Sequence, residues 1–364
     1  MGFVILAINP GSTSTKVALF QDEEELGRKE LPHRAEDLAG FPRVADQKAY
    51  RLGAIEALME ARGRRFEELS AVVGRGGIVD PIPGGTYRVG PLLLEHLHRG
   101  KPWEHASNLG GILAEAIASP LGIPSFIVDP VAVDELEDLA RITGLPELPL
   151  RSLVHALNVK ATVRLAARDL NRDWQELSVV VAHLGSGFSI CAHREGRIVD
   201  VNNANERGPF SPERAGGVPA LELVRLAYSG RWTQQDLRRR LVGRGGLSAY
   251  LGTTDLREAA ARIAAGDEGA DRVVEAMAFQ VAQEIAAMAV PLRGKVDAVI
   301  LTGGVAHSSD FVARVQRRVE WIAPVLRYPG EDEMKALCQG ALRVLRGEEE
   351  PRDYERFAGG TGER

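Results

Sequence analysis

The chain has 364 residues, 45% of them hydrophobic and 26% charged, with a formal net charge of −5 and a pI near 6.0. That length suggests about two domains with substantial cores, and the composition excludes extended disorder. The acid surplus argues against nucleic acid as a partner, because broad phosphate binding draws on an excess of Lys and Arg.

In chain order, the first predicted strand is Phe3–Ile8, an apolar run that ends in Asn9-Pro10-Gly11. No basic stretch precedes it, so it does not read as an export signal. No apolar stretch approaches the ~20 residues that span a bilayer. The expectation is a cytoplasmic protein with no membrane partner. Further strands are predicted at Lys16–Phe20, Ala71–Val73, Ser125–Val128, Ser178–Leu184, Phe188–Ala192 and Ala298–Leu301, each rich in apolar residues and bounded by turn formers. Helical patterns cover Gly53–Ala61, Ala106–Ala118, His155–Asp169, Ala220–Tyr228, Asp255–Ala265, Asp267–Pro291, Phe311–Trp321 and Glu333–Arg346. Short apolar runs alternating with longer helices read as α/β architecture. Within Val273–Ala289, Met277, Val281, Ile285 and Met288 recur at helical spacing, which predicts a buried helix with methionines as core filler. The stretch from Glu348 to Arg364 is charged and glycine-containing and is expected to be a flexible tail. Cys191 and Cys338 lie too far apart for a CxxC site and read as reduced thiols.

The chain repeats itself weakly. Ile8-Asn9-Pro10-Gly11-Ser12-Thr13-Ser14-Thr15-Lys16-Val17 is a strand, a Gly/Ser/Thr turn and a second strand, and Ala182-His183-Leu184-Gly185-Ser186-Gly187-Phe188-Ser189-Ile190 has the same form. Such turns aim backbone N–H groups at one point with no side chain in the way, as phosphate binding requires. A single turn of this kind is more often a plain hairpin; two matched turns, each after a buried strand, say more. A third element is Ala298-Val299-Ile300-Leu301-Thr302-Gly303-Gly304, a strand ending in Gly-Gly before a helical segment. There is no GxxxxGK[ST] and no strand-linked GxGxxG, so P-loop and dinucleotide folds are unsupported.

Strand–GS turn–strand, strand–GSG–strand and strand–TGG–helix, in this order, resemble the phosphate 1, phosphate 2 and adenosine motifs of the acetate and sugar kinase, Hsp70 and actin superfamily. Within it the chain resembles the acetokinase family, specifically its butyrate-phosphorylating members. The segments that carry the likeness are Asn9-Pro10-Gly11-Ser12-Thr13-Ser14-Thr15-Lys16, Val73-Gly74-Arg75-Gly76-Gly77, His105-Ala106-Ser107-Asn108-Leu109-Gly110-Gly111, Val128-Asp129-Pro130, His183-Leu184-Gly185-Ser186-Gly187, Gly245-Gly246-Leu247-Ser248-Ala249-Tyr250-Leu251 and Glu333-Met334-Lys335. The resemblance implies two ribonuclease-H-like (actin-like ATPase) domains around a central nucleotide cleft. It places residues 1–155 with the C-terminal helix 333–347 in the N-terminal domain and 156–332 in the nucleotide-binding domain.

It also implies an ATP- and Mg²⁺-dependent kinase that phosphorylates a short-chain fatty acid to its acyl phosphate, reversibly, and that assembles as a homodimer or larger homo-oligomer. By this matching, Arg75 and Arg214 clamp carboxylate and phosphoryl, a task suited to the planar Arg fork. His155 donates to the phosphoryl oxygens and Asp129 orients Mg²⁺ or phosphoryl. Asn9 and Glu333 help hold the metal. Ser12, Ser14, Lys16, His183, Gly185, Ser186 and Gly187 line the phosphate path, and Gly303 and Gly304 the adenosine. Taken without the matching, His155 fits a helix cap equally well, His183 a satisfied buried histidine, and Asp129 ordinary helix-start chemistry. His96, His98, His105, His193 and His307 show no metal-ligand spacing and receive no role.

The chain departs from the acetate kinase pattern at three places. It lacks two residues between Arg75 and the following Gly-Gly, has Val154 where acetate kinases carry Phe, and has Arg214-Ala215-Gly216-Gly217 in place of Arg-Ser-Gly-Asp. Val for Phe frees room for methylenes, each worth roughly 0.8 kcal/mol when buried. That favours a four-carbon acid, butyrate or isobutyrate, over acetate or propionate. A sugar kinase using Asp129 as base, or a non-catalytic nucleotide sensor, are the alternatives from other functional classes.

Overall fold

The buried run Val4–Pro10 (β1) turns at Gly11–Thr13 into Ser14–Gln21 (β2), which pairs with it antiparallel from Val4↔Gln21 to Pro10↔Thr15. The computed structural model describes residues 2–100 and 104–358. Glu24–Pro32 (β3) continues antiparallel beside β2, while Ala71–Arg75 (β4) and Ser125–Val128 (β6) add in parallel on the other side of β1. Thr86–Arg88 (β5) closes that edge antiparallel to β6, so the order is β3-β2-β1-β4-β6-β5. Helix Asn108–Ala118 packs on one face of this sheet, where a Cβ on Gly111 would meet Ile127. Helix Glu333–Leu345 packs on the other, with Gly340 against Val128. Adjacent residues of a strand point to opposite faces, which is why Ile127 and Val128 meet different helices.

The second sheet is built from Ser178–Leu184 (β7), Phe188–Arg194 (β8), Arg197–Val201 (β9), Ala298–Gly303 (β10) and Val325–Pro329 (β11), in the order β11-β10-β7-β8-β9. β7, β8 and β9 are antiparallel; β10 and β11 are parallel to β7. This repeats β6-β4-β1-β2-β3 of the first sheet strand for strand. The weak sequence repeat is therefore a repeat of topology. Helix Glu268–Met288 buries Met277, Val281, Ile285 and Met288 in the core over this sheet, as the spacing predicts.

By its internal contacts the chain divides into Met1–Asp134 with Asp332–Arg364, and Glu135–Glu331. The boundary lies some way before residue 155. The physical reason is a buried ion pair: Lys160 Nζ donates to both oxygens of Glu135 at 2.9 Å and to the Gly196 carbonyl at 2.9 Å. Burying one of these charges alone is costly, so Glu135 goes with the helix Ala156–Asp169 that carries Lys160.

The expected flexible tail is corrected over its described part. Tyr354 is fully buried, its hydroxyl lies 2.8 Å from His96 Nδ1, and Arg352 bridges Tyr87. One aromatic anchor and backbone pairing order a segment whose average composition suggested otherwise. Residues 359–364 of the expected tail lie outside the described residues. Both cysteines are buried, and burial pushes their thiols up to about 12, far from thiolate chemistry.

Tyr354→Ala is expected to lower the unfolding free energy by about 3 kcal/mol or more, measured in urea. A wild-type midpoint would show the tail to be dispensable. Acid sensitivity should arise at His193, fully buried on β8, where burial pushes the imidazole down to about 3. Unfolded His takes up its proton near 6.5, so the folded chain loses about 1.4 kcal/mol of stability per pH unit as pH falls below that value. His193→Leu should flatten that slope between pH 6 and 4 in a urea series.

Candidate active site

In the first unit, three parallel strands end side by side, each at or beside a predicted site residue. Asn9 is the penultimate residue of β1, Arg75 closes β4 and Asp129 follows β6, with Ile8 opposite Gly74 and Arg75 opposite Val128. Glu333 joins them from the first turn of its helix. Its carboxylate accepts from Asn9 Nδ2 at 2.5 Å and pairs with the Arg75 guanidinium. Asp129 is almost fully buried and accepts from the Gly85 amide at 2.7 Å, while its own amide donates to the Gly85 carbonyl at 3.0 Å. Its φ of +38° is unusual for a residue with a side chain. Asp tolerates that region better than most residues, and the Gly85 exchange holds it there.

The glycines around Arg75 are required by close packing. A Cβ on Gly74 would lie 2.0 Å from the Gly110 carbonyl, and one on Gly110 would lie 2.1 Å from the Arg75 carbonyl. Helix Asn108–Ala118 thus rests directly on the β4 backbone. Asn108 accepts from the Ile78 amide at 2.8 Å, and this fixes the loop after Arg75. His105, held 2.8 Å from Ser107 Oγ, is kept below its ordinary pKa by burial and by the nearby Arg75 charge.

The turn Gly11–Ser14 leaves Ser12 and Lys16 exposed, and Ser14 Oγ donates to Glu30 at 2.7 Å. Beneath the turn lies Arg51, from helix Lys48–Ala61, only 1% exposed. Nη1 donates to the carbonyls of Gly11 (2.9 Å) and Ser14 (3.0 Å) and to Thr15 Oγ1 (2.9 Å), and Nη2 reaches the Ser12 carbonyl at 3.5 Å.

In the second unit, His183 is the penultimate residue of β7 and Gly303 ends the adjacent β10, with Thr302 paired to His183. His183 Nδ1 lies 2.8 Å from Asn158 Oδ1, which can only accept, so the Nδ1 proton is fixed there and Nε2 is left facing the turn. Nε2 lies 3.7 Å from the Glu331 carboxylate. The His155 ring stacks on His183, centroids 4.0 Å apart and 18° from parallel, with Nδ1 at 3.3 Å from Ser189 Oγ. In the turn Ser186 is exposed, Gly185 half-buried and Gly187 buried. Arg214 runs along Gly187, where a Cβ would lie 2.3 Å from its guanidinium. Its Nε is buried without an acceptor among the described residues, and burial lowers its pKa. Gly303, at φ +89°, sits where a Cβ would meet the Leu184 carbonyl at 2.6 Å, whereas Gly304 faces open space.

Each unit therefore gathers its own predicted residues. Arg51, Asn158, Asn108 and Ser189 received no role from the sequence. Asn108 and Ser189 lie within the motif segments and Arg51 and Asn158 in none, and the contact each makes is to a residue distant in sequence. Among the described residues no three His, Cys, Asp or Glu side chains converge as a metal site. The oxygen donors of Asn9 and Glu333 suit a Mg²⁺ that arrives with nucleotide phosphates and keeps its waters, rather than a caged resident ion.

The model of the acetokinase family matches residues 154–323. The chain is 52% identical over 352 residues to a protein named probable butyrate kinase 2 from Caldanaerobacter subterraneus, covering 97% of this chain and 99% of that one. It is 45% identical over 355 residues to a probable butyrate kinase from Clostridium botulinum, covering 97% and 100%. Among solved structures, it resembles an acetate kinase from Porphyromonas gingivalis with a TM-score of 0.78 at 18% identity, covering 94% of this chain and 100% of that chain. A propionate kinase from Francisella tularensis gives 0.74 at 18% identity, covering 93% and 98%. Those structures share the fold.

Gly74→Ala is expected to destabilise the first unit by about 3 kcal/mol, because the obstacle is backbone on both sides. Gly304→Ala should change stability by no more than about 0.5 kcal/mol. Paired urea melts check both, and equal effects would contradict the packing.

Proposed function

The chain belongs to the acetokinase family, and from that premise we propose that it is a cytoplasmic butyrate kinase, transferring the γ-phosphoryl group of ATP to butyrate or isobutyrate, reversibly. The observation that carries the chemistry is Arg214. A half-buried guanidinium with an unsatisfied Nε calls for an anion, and its planar fork matches carboxylate or phosphate. Arg75 is the corresponding cation of the first unit.

A carboxylate is already ionised at pH 7, so no general base is needed. The barrier lies in bringing two anions together in line and spreading the charge of the transferring group. Arg75 and Arg214 meet that demand by binding the acid and the phosphoryl oxygens. His155 donates a hydrogen bond to those oxygens, and its stacking on His183 fixes the plane from which it donates. Ser12, Ser14 and Lys16 in one unit, and His183, Gly185, Ser186 and Gly187 in the other, bind the phosphates. Gly303 and Gly304 leave bare backbone for the adenosine. Asn9 and Glu333, with Asp129 through water, would hold Mg²⁺, which supplies charge neutralisation when bound.

The names of the relatives favour butyrate over acetate, and Val154 before His155 agrees with a larger acid. Exposed Leu139, Ile142, Leu221 and Tyr228 on the second unit favour assembly as a homodimer or larger homo-oligomer.

The test is acyl phosphate formation across acetate, propionate, butyrate, isobutyrate and valerate, trapped as hydroxamate. The kcat/KM for butyrate should exceed that for acetate by at least about tenfold, since each methylene is worth about 1–3 kcal/mol. Arg214→Ala should lower kcat by roughly 10²–10³ without unfolding the protein. Sugar phosphorylation, or no product from any acid, would overturn the reading.

A further inference from the structure

We propose that Arg51 is a positioning residue for the nucleotide phosphates: from beneath the Gly11–Ser14 turn it fixes the backbone so that the amides of Ser12 and Thr13 face the ligand, and it places an uncompensated positive charge behind them. This rests on the reading of that turn as a phosphate-binding element.

The geometry supplies both halves of the argument. In a planar trans peptide the C=O and the following N–H point to opposite sides. Carbonyls of Gly11 and Ser12 aimed at Arg51 therefore turn the N–H groups of Ser12 and Thr13 away from it. Neither amide has a protein acceptor among the described residues. The turn is closed on itself by the Gly11 amide, which donates to the Ser14 carbonyl at 2.7 Å. Two N–H groups converging outward from a short Gly/Ser turn form an anion-binding concavity.

The charge is the second half. Arg51 is held by neutral groups only: three carbonyls, the Thr15 hydroxyl, and Gln47 Oε1, which accepts from Nε at 3.0 Å and from Nη2 at 2.8 Å. Among the described residues no carboxylate pairs with it. A buried cation without a counter-ion is costly, and an anion seated on the far side of the same thin turn supplies the missing charge. Lys could not take its place, because a single ammonium on a flexible stem cannot span Gln47 and the turn together.

The experiment uses the full chain and titrates ATP and AMP into wild type, Arg51→Lys and a Ser12→Ala/Ser14→Ala double variant, alongside steady-state kinetics. Arg51→Lys should weaken ATP about tenfold while AMP stays within twofold. The KM for ATP should rise in step, with kcat falling less than threefold, the butyrate KM unchanged and far-UV CD as wild type. A merely structural role would weaken ATP and AMP alike, and that result, or an unchanged ATP affinity, overturns the proposal. If the double variant weakens ATP selectively and Arg51→Lys does not, Arg51 alone is excluded. If a Thr13→Pro variant, which removes one of those N–H groups, leaves both ATP and AMP affinity unchanged, the phosphate reading of the turn fails and the proposal falls with it. Should Arg51→Lys not fold, Gln47→Leu keeps the cation but removes its orienting acceptor. It should cost about threefold in ATP and none in AMP; no selective loss refutes the inference.

Discussion

A carboxylate near the C-terminal end of the chain sets the charge balance at the ends of its N-terminal strands. Glu333 accepts from Asn9 and pairs with Arg75, residues separated from it by most of the sequence. That contact sets a carboxylate against the half-buried cation at the end of β4 and the buried amide near the end of β1. The helix that brings Glu333 also covers one face of the sheet, with Gly340 pressed on Val128. Its first turn is a favourable place for an acid, where the helix dipole is positive. Core packing and site electrostatics are thus supplied by one element.

The arginines differ in what balances them. Arg75 has its carboxylate in Glu333. Arg214 and Arg51 have none among the described residues, and burial lowers the pKa of both. Both stay protonated at neutral pH, because a guanidinium starts far above it. Each unit therefore carries a desolvated cation against a Gly/Ser turn, Arg214 beside Gly187 and Arg51 under Gly11–Ser14. In a medium of low dielectric such charges act more strongly on an anion than surface arginines do. This arrangement, and not only the turn sequence, is shared by the two units.

The repeated sheet order explains why site residues sit where they do. In both units the first strand turns back antiparallel and two later strands join in parallel, so that strand ends and Gly/Ser turns share one edge of each sheet. Open α/β sheets bind ligands beyond the carboxyl ends of their parallel strands. Asn9, Arg75 and Asp129 occupy such ends in one unit, His183 and Gly303 in the other.

Much of this was legible in residue order. Central strands announced themselves as apolar runs, and the buried helix Glu268–Met288 by its spacing. The edge strand Glu24–Pro32 was not legible: it is charged and mostly exposed, as edges are when they must resist pairing with other chains. β5 and β11 are short and half-polar and left no pattern. The tail around Tyr354 misled because composition averages over a segment, whereas one fully buried ring decides its fate. By itself, the sequence determined the α/β repeat, the two Gly/Ser turns and the identities of the charged groups, since these depend on local periodicity and turn chemistry. Only the tertiary structure decided which groups answer one another. Arg51 under its turn, Asn158 on His183 and Glu333 on Arg75 are long-range contacts, and Coulomb and hydrogen-bond terms depend on distance in space, which local patterns do not encode.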